Sequence, residues 1–120
     1  MRDVAEAVAK TREVAAAAGM STFQATRLAT ASSELARNAV VHGGGGSLDI
    51  ETVDVPRQGV RITVTDAGPG IADVARALRD GFSSSGSMGH GLGGAQRLLG
   101  ALEIDSRPGC TRVRGTLWRH

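Results

Sequence analysis

Three short stretches carry residues whose types and spacing could do chemistry. Asp66-Ala-Gly68-Pro-Gly70 follows the alternating run Val60-Arg-Ile-Thr-Val-Thr65. A carboxylate at a strand end can accept a hydrogen bond from a buried exocyclic amine, and glycines beside it let backbone approach a flat ring. Asp-x-Gly with Pro is also ordinary turn chemistry, and position favours the first reading: a rigid strand end can aim a side chain into a pocket. Upstream, Glu34 and Asn38 are four residues apart, so on a helix they share one face. The amide oxygen of Asn38 suits Mg²⁺, which prefers oxygen ligands and takes only one or two from protein, and Glu34 could deprotonate a hydroxyl or water. Taken alone, such a pair is most simply a polar helix face. Downstream, Gly89-His-Gly91-Leu92-Gly93 opens a helix, where free backbone N–H groups and the helix dipole attract phosphate. It is neither a Walker loop nor a convincing dinucleotide fingerprint, because no Gly-Lys-Ser/Thr follows and no strand directly precedes it. In this order the three read as a purine-nucleotide pocket with a metal ligand, a base and a phosphate loop.

The elements that must position these residues are legible from pattern. An Ala-rich stretch from about Asp3 to Ala18, with Val4, Ala7, Val14 and Ala18 on one side, predicts a helix ended by Gly19. Ser21 or Thr22 caps a second, longer helix whose buried stripe is Phe23, Leu28, Leu35, Ala39 and Val40, with Gly43 at its end. His42 fits a C-terminal cap, and Gly43 to Gly46 reads as a helix stop and turn. Strands follow at Ser47 to Val55 and Gly59 to Thr65, joined by a turn at Pro56-Arg-Gln-Gly59. A short helix fits Asp73 to Arg79, a small, polar loop spans Gly81 to Gly91, and a helix runs from near Leu92 to about Ala101. Two last strands fit Leu102 to Ser106 and Thr111 to Trp118 around Arg107-Pro-Gly109. Consecutive hairpins favour an α+β two-layer sandwich: a mixed, largely antiparallel sheet with helices on one face.

Bulk properties narrow the class. The 120 residues fit a single domain. All but one of the fourteen basic residues are Arg, scattered along a chain of net charge +2 with 2% aromatics. That argues against a nucleic-acid partner, which calls for a concentrated basic face and stacking rings. One cysteine, Cys110, rules out an internal disulfide and suits a reducing compartment. No apolar run approaches the roughly 20 residues a bilayer span requires, and the first residues lack a signal-peptide core, so the expectation is a cytoplasmic protein without a membrane partner. The three His and one Cys are dispersed, which makes zinc a poor fit.

With these segments in hand, the chain resembles the GHKL ATPase/kinase superfamily over nearly its whole length. Glu34-Leu-Ala-Arg-Asn38 matches the N box, Asp66-Ala-Gly68-Pro-Gly70 the first glycine box and Gly89-His-Gly91-Leu92-Gly93 the second. Ala31-Ser-Ser-Glu-Leu-Ala-Arg-Asn38 and Asp80 to Gly94 are similar to the small anti-sigma-factor serine/threonine kinases of bacterial partner switching, the RsbT-like ones more than the RsbW-like ones. The resemblance implies the Bergerat ATP-binding fold and transfer of the γ-phosphoryl of ATP to a serine or threonine of a STAS-domain partner. It also implies a sigma factor or downstream regulatory enzyme as a further partner, in a monomer or homodimer. Carried over residue by residue, Glu34 is the general base, Asn38 holds Mg²⁺, Asp66 receives the adenine amine, and Gly68 and Gly70 shape the purine floor. Gly89, Gly91, Leu92 and Gly93 pass backbone near the phosphates, and Thr111 supplies a hydroxyl on the adenine side. Two departures stand out: the chain begins almost at the first helix, where family members usually have a short strand before it, and the family's Gly-Gly-Thr or Gly-Thr reads Gly109-Cys110-Thr111. A non-catalytic module that sequesters its partner is the alternative. The ATPase half of a sensor histidine kinase fits less well, because no phospho-accepting helix pair precedes the domain.

Overall fold

The computed structural model describes residues 4–71 and 92–119, without the side chains of residues 42 and 43. Helix α1 (Val4–Ala17) buries Ala7, Thr11 and Ala15, a spacing of four that places them on one face. Val14 and Ala18 pack beside them, and the chain leaves the helix at Gly19 with φ +78°. Helix α2 (Thr22–Gly43) is capped by Ser21, whose hydroxyl accepts the Gln24 N–H at 3.1 Å. It is the central helix of its layer, and Leu28, Ala31, Leu35 and Ala39 line its core face. The two helices meet through a buried polar contact: Thr11 Oγ1 lies 2.8 Å from both the Ala7 carbonyl oxygen and Ser32 Oγ.

Two members of the expected α2 stripe lie outside the core. Phe23 is 68% exposed and Val40 39% exposed. The helix turns its small side chains inward instead, with Ala29, Ala31, Ser32, Ala36 and Ala39 all buried, because close approach to α1 and the sheet leaves no room for a ring. Gln24 takes the inward position next to Phe23, and its amide donates to the Trp118 carbonyl at 2.9 Å. Phe23 covers the outside of the helix under the Arg27 guanidinium, 5.9 Å from the ring centre.

Strands β1 (Gly46–Val53), β2 (Gly59–Asp66), β3 (Leu102–Arg107) and β4 (Cys110–Trp118) form one sheet of order β1-β2-β4-β3, and every described pairing is antiparallel. Helix α3 (Leu92–Leu99) stops two residues before the expected end, where Gly100 turns to φ +95°. Arg27 reaches across from α2 to donate to the Leu98 carbonyl at 2.7 Å, which satisfies one of the last helix acceptors.

The register sorts the sheet residues into rows facing the helices. Leu48, Val64, Val113 and Ile104 make one row, and Ile50, Ile62, Gly115 and Leu102 the next. Both rows join Leu28, Leu35, Leu92 and Leu99 in a single core, apart from Gly115, which contributes space. A Cβ on Gly115 would stand 2.5 Å from Leu99 Cδ1 and 2.9 Å from Leu102 Cδ2, so these two leucines close over the missing side chain. Leu28, Leu35, Ile62 and Leu92 are fully buried, each contributing about 1.5–3 kcal/mol. The opposite sheet face is polar, with Arg61 3.7 Å from Glu51 and Arg112 3.6 Å from Asp105. No helix among the described residues is long and apolar enough to cross a membrane.

Candidate functional site

A polar row completes the helix-facing side of the sheet at one end. Gly46 pairs with Asp66, Asp66 with Thr111, and Thr111 with Ser106. Asp66 and Thr111 are 8% and 2% exposed, so this end of the core layer carries a carboxylate and a hydroxyl where the neighbouring row carries valines. Residues directly opposite in antiparallel strands hold their Cβ atoms about 4.5–5.5 Å apart, close enough for one flat ligand to meet both.

The loop after Asp66 is held in several ways. Asp66 Oδ1 accepts the Gly68 N–H at 2.9 Å, which closes a turn of the kind aspartate makes with its own backbone. The Gly68 carbonyl accepts the Gly109 N–H at 2.8 Å, and Ser106 Oγ accepts the Ile71 N–H at 2.7 Å. Gly70 has φ +90°, and a Cβ there would come within 2.9 Å of the Arg107 carbonyl group. Only a glycine lets the loop lie flat on the β3–β4 turn at that point. Ser106 Oγ is in turn 2.8 Å from Thr111 Oγ1. The Asp66 carboxylate has lone pairs beyond the one taken by Gly68, and its chemistry fits an incoming N–H donor.

Helix α2, which carries the second group of residues, ends at the same end of the sheet. Its C-terminal turn closes through the Gly45 N–H to the Ala39 carbonyl at 2.8 Å, with Gly44 in the left-handed region. The chain then enters β1 at Gly46, the register partner of Asp66. Asn38 is 6% exposed, on the turn next to that junction. One helical turn earlier, Glu34 keeps a side-chain exposure of 33% and lies 3.7 Å from the Arg37 guanidinium. The pair thus splits in character: the amide is enclosed, and the carboxylate is reachable from solvent. Among the described residues no three His, Cys, Asp or Glu side chains gather into a metal site. A Mg²⁺ held through one amide oxygen would draw its other ligands from phosphate and water.

Leu92 and Gly93 open α3 and are both buried. The Leu92 side chain belongs to the apolar core, so what this position offers a ligand is backbone N–H from a first helical turn. Gly89, Gly91, His90, the Asp73 to Arg79 segment, the serine-glycine stretch before Gly91 and the side chain of His42 lie outside the described residues. Two participants at this end of the sheet escape a reading of motifs alone, Gly46 and Ser106. The alternation Leu102, Ile104, Ser106 already places that serine on the inward face, which is the signal that could have found it.

The family model described as a histidine kinase-like ATPase domain matches residues 1–117. The chain belongs to that family. It is 40% identical over 109 residues to the serine/threonine-protein kinase RsbT of Bacillus subtilis (strain 168), covering 89% of this chain and 82% of that one. It is 34% identical over 95 residues to the anti-sigma F factor of Thermoanaerobacter sp. (strain X514), covering 75% of this chain and 64% of the relative. Among solved structures, the histidine kinase domain from the Erythrobacter litoralis EL346 blue-light activated histidine kinase superposes with a TM-score of 0.56 at 22% identity, over 78% of this chain. Acinetobacter baumannii histidine kinase AdeS does so with a TM-score of 0.54 at 19% identity, over 80% of it. The chain spans about half the length (47%) of each of those two chains, and at such identity they speak for the fold. Within the family, kinship is with the RsbT-like serine/threonine protein kinases.

Proposed function

We propose that residues 1–120 act as one ATP-binding kinase domain in the cytoplasm, phosphorylating a serine or threonine of a STAS-domain partner in a sigma-factor regulatory switch. The observation that carries this reading is the polar end of the sheet. There, enclosed Asp66 and Thr111 stand opposite each other, beside Gly46, through which the helix bearing Asn38 and Glu34 runs into the sheet. RsbT, the 40%-identical relative, carries a kinase name, which supports the reaction class.

Asp66 accepts the adenine amine, Thr111 adds a hydroxyl, and Gly68 and Gly70 form the floor on which the ring lies. Asn38 holds Mg²⁺ through its amide oxygen, and Gly89, Gly91, Leu92 and Gly93 offer backbone N–H groups to the phosphates. Bound Mg·ATP supplies the phosphoryl group and the neutralisation of its charge. Glu34 takes the proton from the partner's hydroxyl. Its partial exposure suits that task, since the hydroxyl arrives on another protein.

The test is a magnesium-dependent ATP titration combined with label transfer to a STAS-domain protein. Glu34→Ala should leave ATP affinity within about twofold of the unaltered chain and lower transfer by about 10²–10⁴-fold, the usual contribution of a general base. Full transfer by that variant would remove Glu34 from the role. The anti-sigma F factor relative favours a second reading, in which the domain sequesters a sigma factor. Nucleotide-independent capture of a sigma factor without phosphorylated product would support it over the kinase.

A further inference from the structure

Ser106 belongs to none of the three motifs, yet it sits where the loop of Asp66 meets the strand of Thr111. We infer that Ser106 is a positioning residue for adenine recognition: it fixes the direction in which Thr111 presents its hydroxyl proton, and so sets the preference for adenine over a 6-oxopurine. The inference rests on the nucleotide reading given above.

A serine hydroxyl has one proton and two lone pairs. Ser106 Oγ accepts the Ile71 N–H at 2.7 Å and shares one bond of 2.8 Å with Thr111 Oγ1. A donor chain that runs one way, from the Ile71 N–H to Ser106 to Thr111, strengthens each bond in it. In that order Ser106 spends its only proton on Thr111, and the Thr111 proton must point elsewhere. Thr111 is 2% exposed and sits opposite Asp66, so its proton turns toward the space that Asp66 borders. An acceptor at Asp66 beside a donor at Thr111 is complementary to an amine next to an unprotonated ring nitrogen, the edge adenine shows. A 6-oxopurine shows the reverse order, a carbonyl next to an N–H.

The geometry also ties Ser106 to the loop. The same oxygen that orients Thr111 holds Ile71, one residue beyond Gly70, while Gly109 holds Gly68 from the other side. Ser106 therefore couples the level of the floor to the direction of the Thr111 proton.

The experiment measures the affinities of ATP and inosine triphosphate for the full chain with Mg²⁺, in the unaltered protein, Ser106→Ala, Ser106→Cys and Ser106→Thr. The expected result is an ATP-to-inosine-triphosphate preference about tenfold lower in the alanine and cysteine variants and retained in the threonine variant. Ser106→Ala made in a Thr111→Val background should change the preference no further. A serine that only braced the fold would weaken both nucleotides equally, and an unchanged preference in the alanine or cysteine variant overturns the inference. Failure of the unaltered chain to bind ATP overturns the nucleotide reading itself, an outcome distinct from ATP binding with a preference indifferent to Ser106.

Discussion

Asp66→Asn separates recognition from folding more cleanly than any other substitution at the site. The variant is nearly isosteric, and its remaining oxygen can still accept the Gly68 N–H, a bond of 2.9 Å in the parent. The amide NH₂ then occupies the place of the second carboxylate oxygen and points a donor at the amine, which is also a donor. Rotating the amide would relieve that clash only by leaving the Gly68 N–H without its acceptor. Either way one hydrogen bond to a charged group is lost, worth about 1.5–3 kcal/mol. Asp66 is 8% exposed, so water is poorly placed to substitute. The dissociation constant for ATP should rise about 10- to 150-fold, with a melting temperature within a few degrees of the parent. The assay is calorimetric titration with ATP and with inosine triphosphate. The carbonyl of inosine accepts from the new NH₂, so the variant should lose ATP affinity while holding or gaining affinity for inosine triphosphate. Equal affinity of parent and variant for ATP, or equal losses for both nucleotides, would refute the assignment of Asp66 to the base.

Two further expectations concern the scaffold. Gly115→Ala puts a methyl 2.5 Å from Leu99 Cδ1 and 2.9 Å from Leu102 Cδ2, and the overpacking should cost about 1–3 kcal/mol. Urea unfolding reads this directly, and an unchanged midpoint would mean the two leucines move aside freely. Thr11→Val removes the hydroxyl that meets both the Ala7 carbonyl and Ser32 Oγ at 2.8 Å. It should cost about 0.5–1.5 kcal/mol, the net worth of a hydrogen bond, because Ser32 Oγ keeps the Ala7 carbonyl as an acceptor at 3.5 Å, while leaving nucleotide affinity alone. Altered ATP affinity in this variant would show that the α1–α2 contact reaches the site.

The elements were legible wherever local chemistry set their limits. Ser21 caps α2 as a short polar side chain should, Gly19 ends the region of α1, and the alternation of β2 places Val60, Ile62, Val64 and Asp66 on one buried face. The strand-end position of Asp66 was legible for the same reason. What escaped was decided by packing between elements. Phe23 and Val40 looked like core residues by size, but the inward positions of α2 go to Leu28, Leu35 and a run of alanine and serine, and these two stay outside. The glycine motif places the backbone of Leu92 near the phosphates but does not show that its side chain completes the hydrophobic layer. Ser106 was hidden differently. Its part depends on Thr111 and Ile71, the latter 35 residues away in the chain, and no motif of contiguous residues records such a meeting.

The short connection from α2 into β1 has a mechanical consequence. With the Gly45 N–H fastened to the Ala39 carbonyl and Gly46 in register with Asp66, the helix that bears Asn38 and the strand end that bears Asp66 are joined through one short corner. A ligand spanning the two finds them already spaced, so little of its attraction is consumed in freezing protein motion. Lengthening that corner by a single residue would leave each half intact and throw them out of alignment.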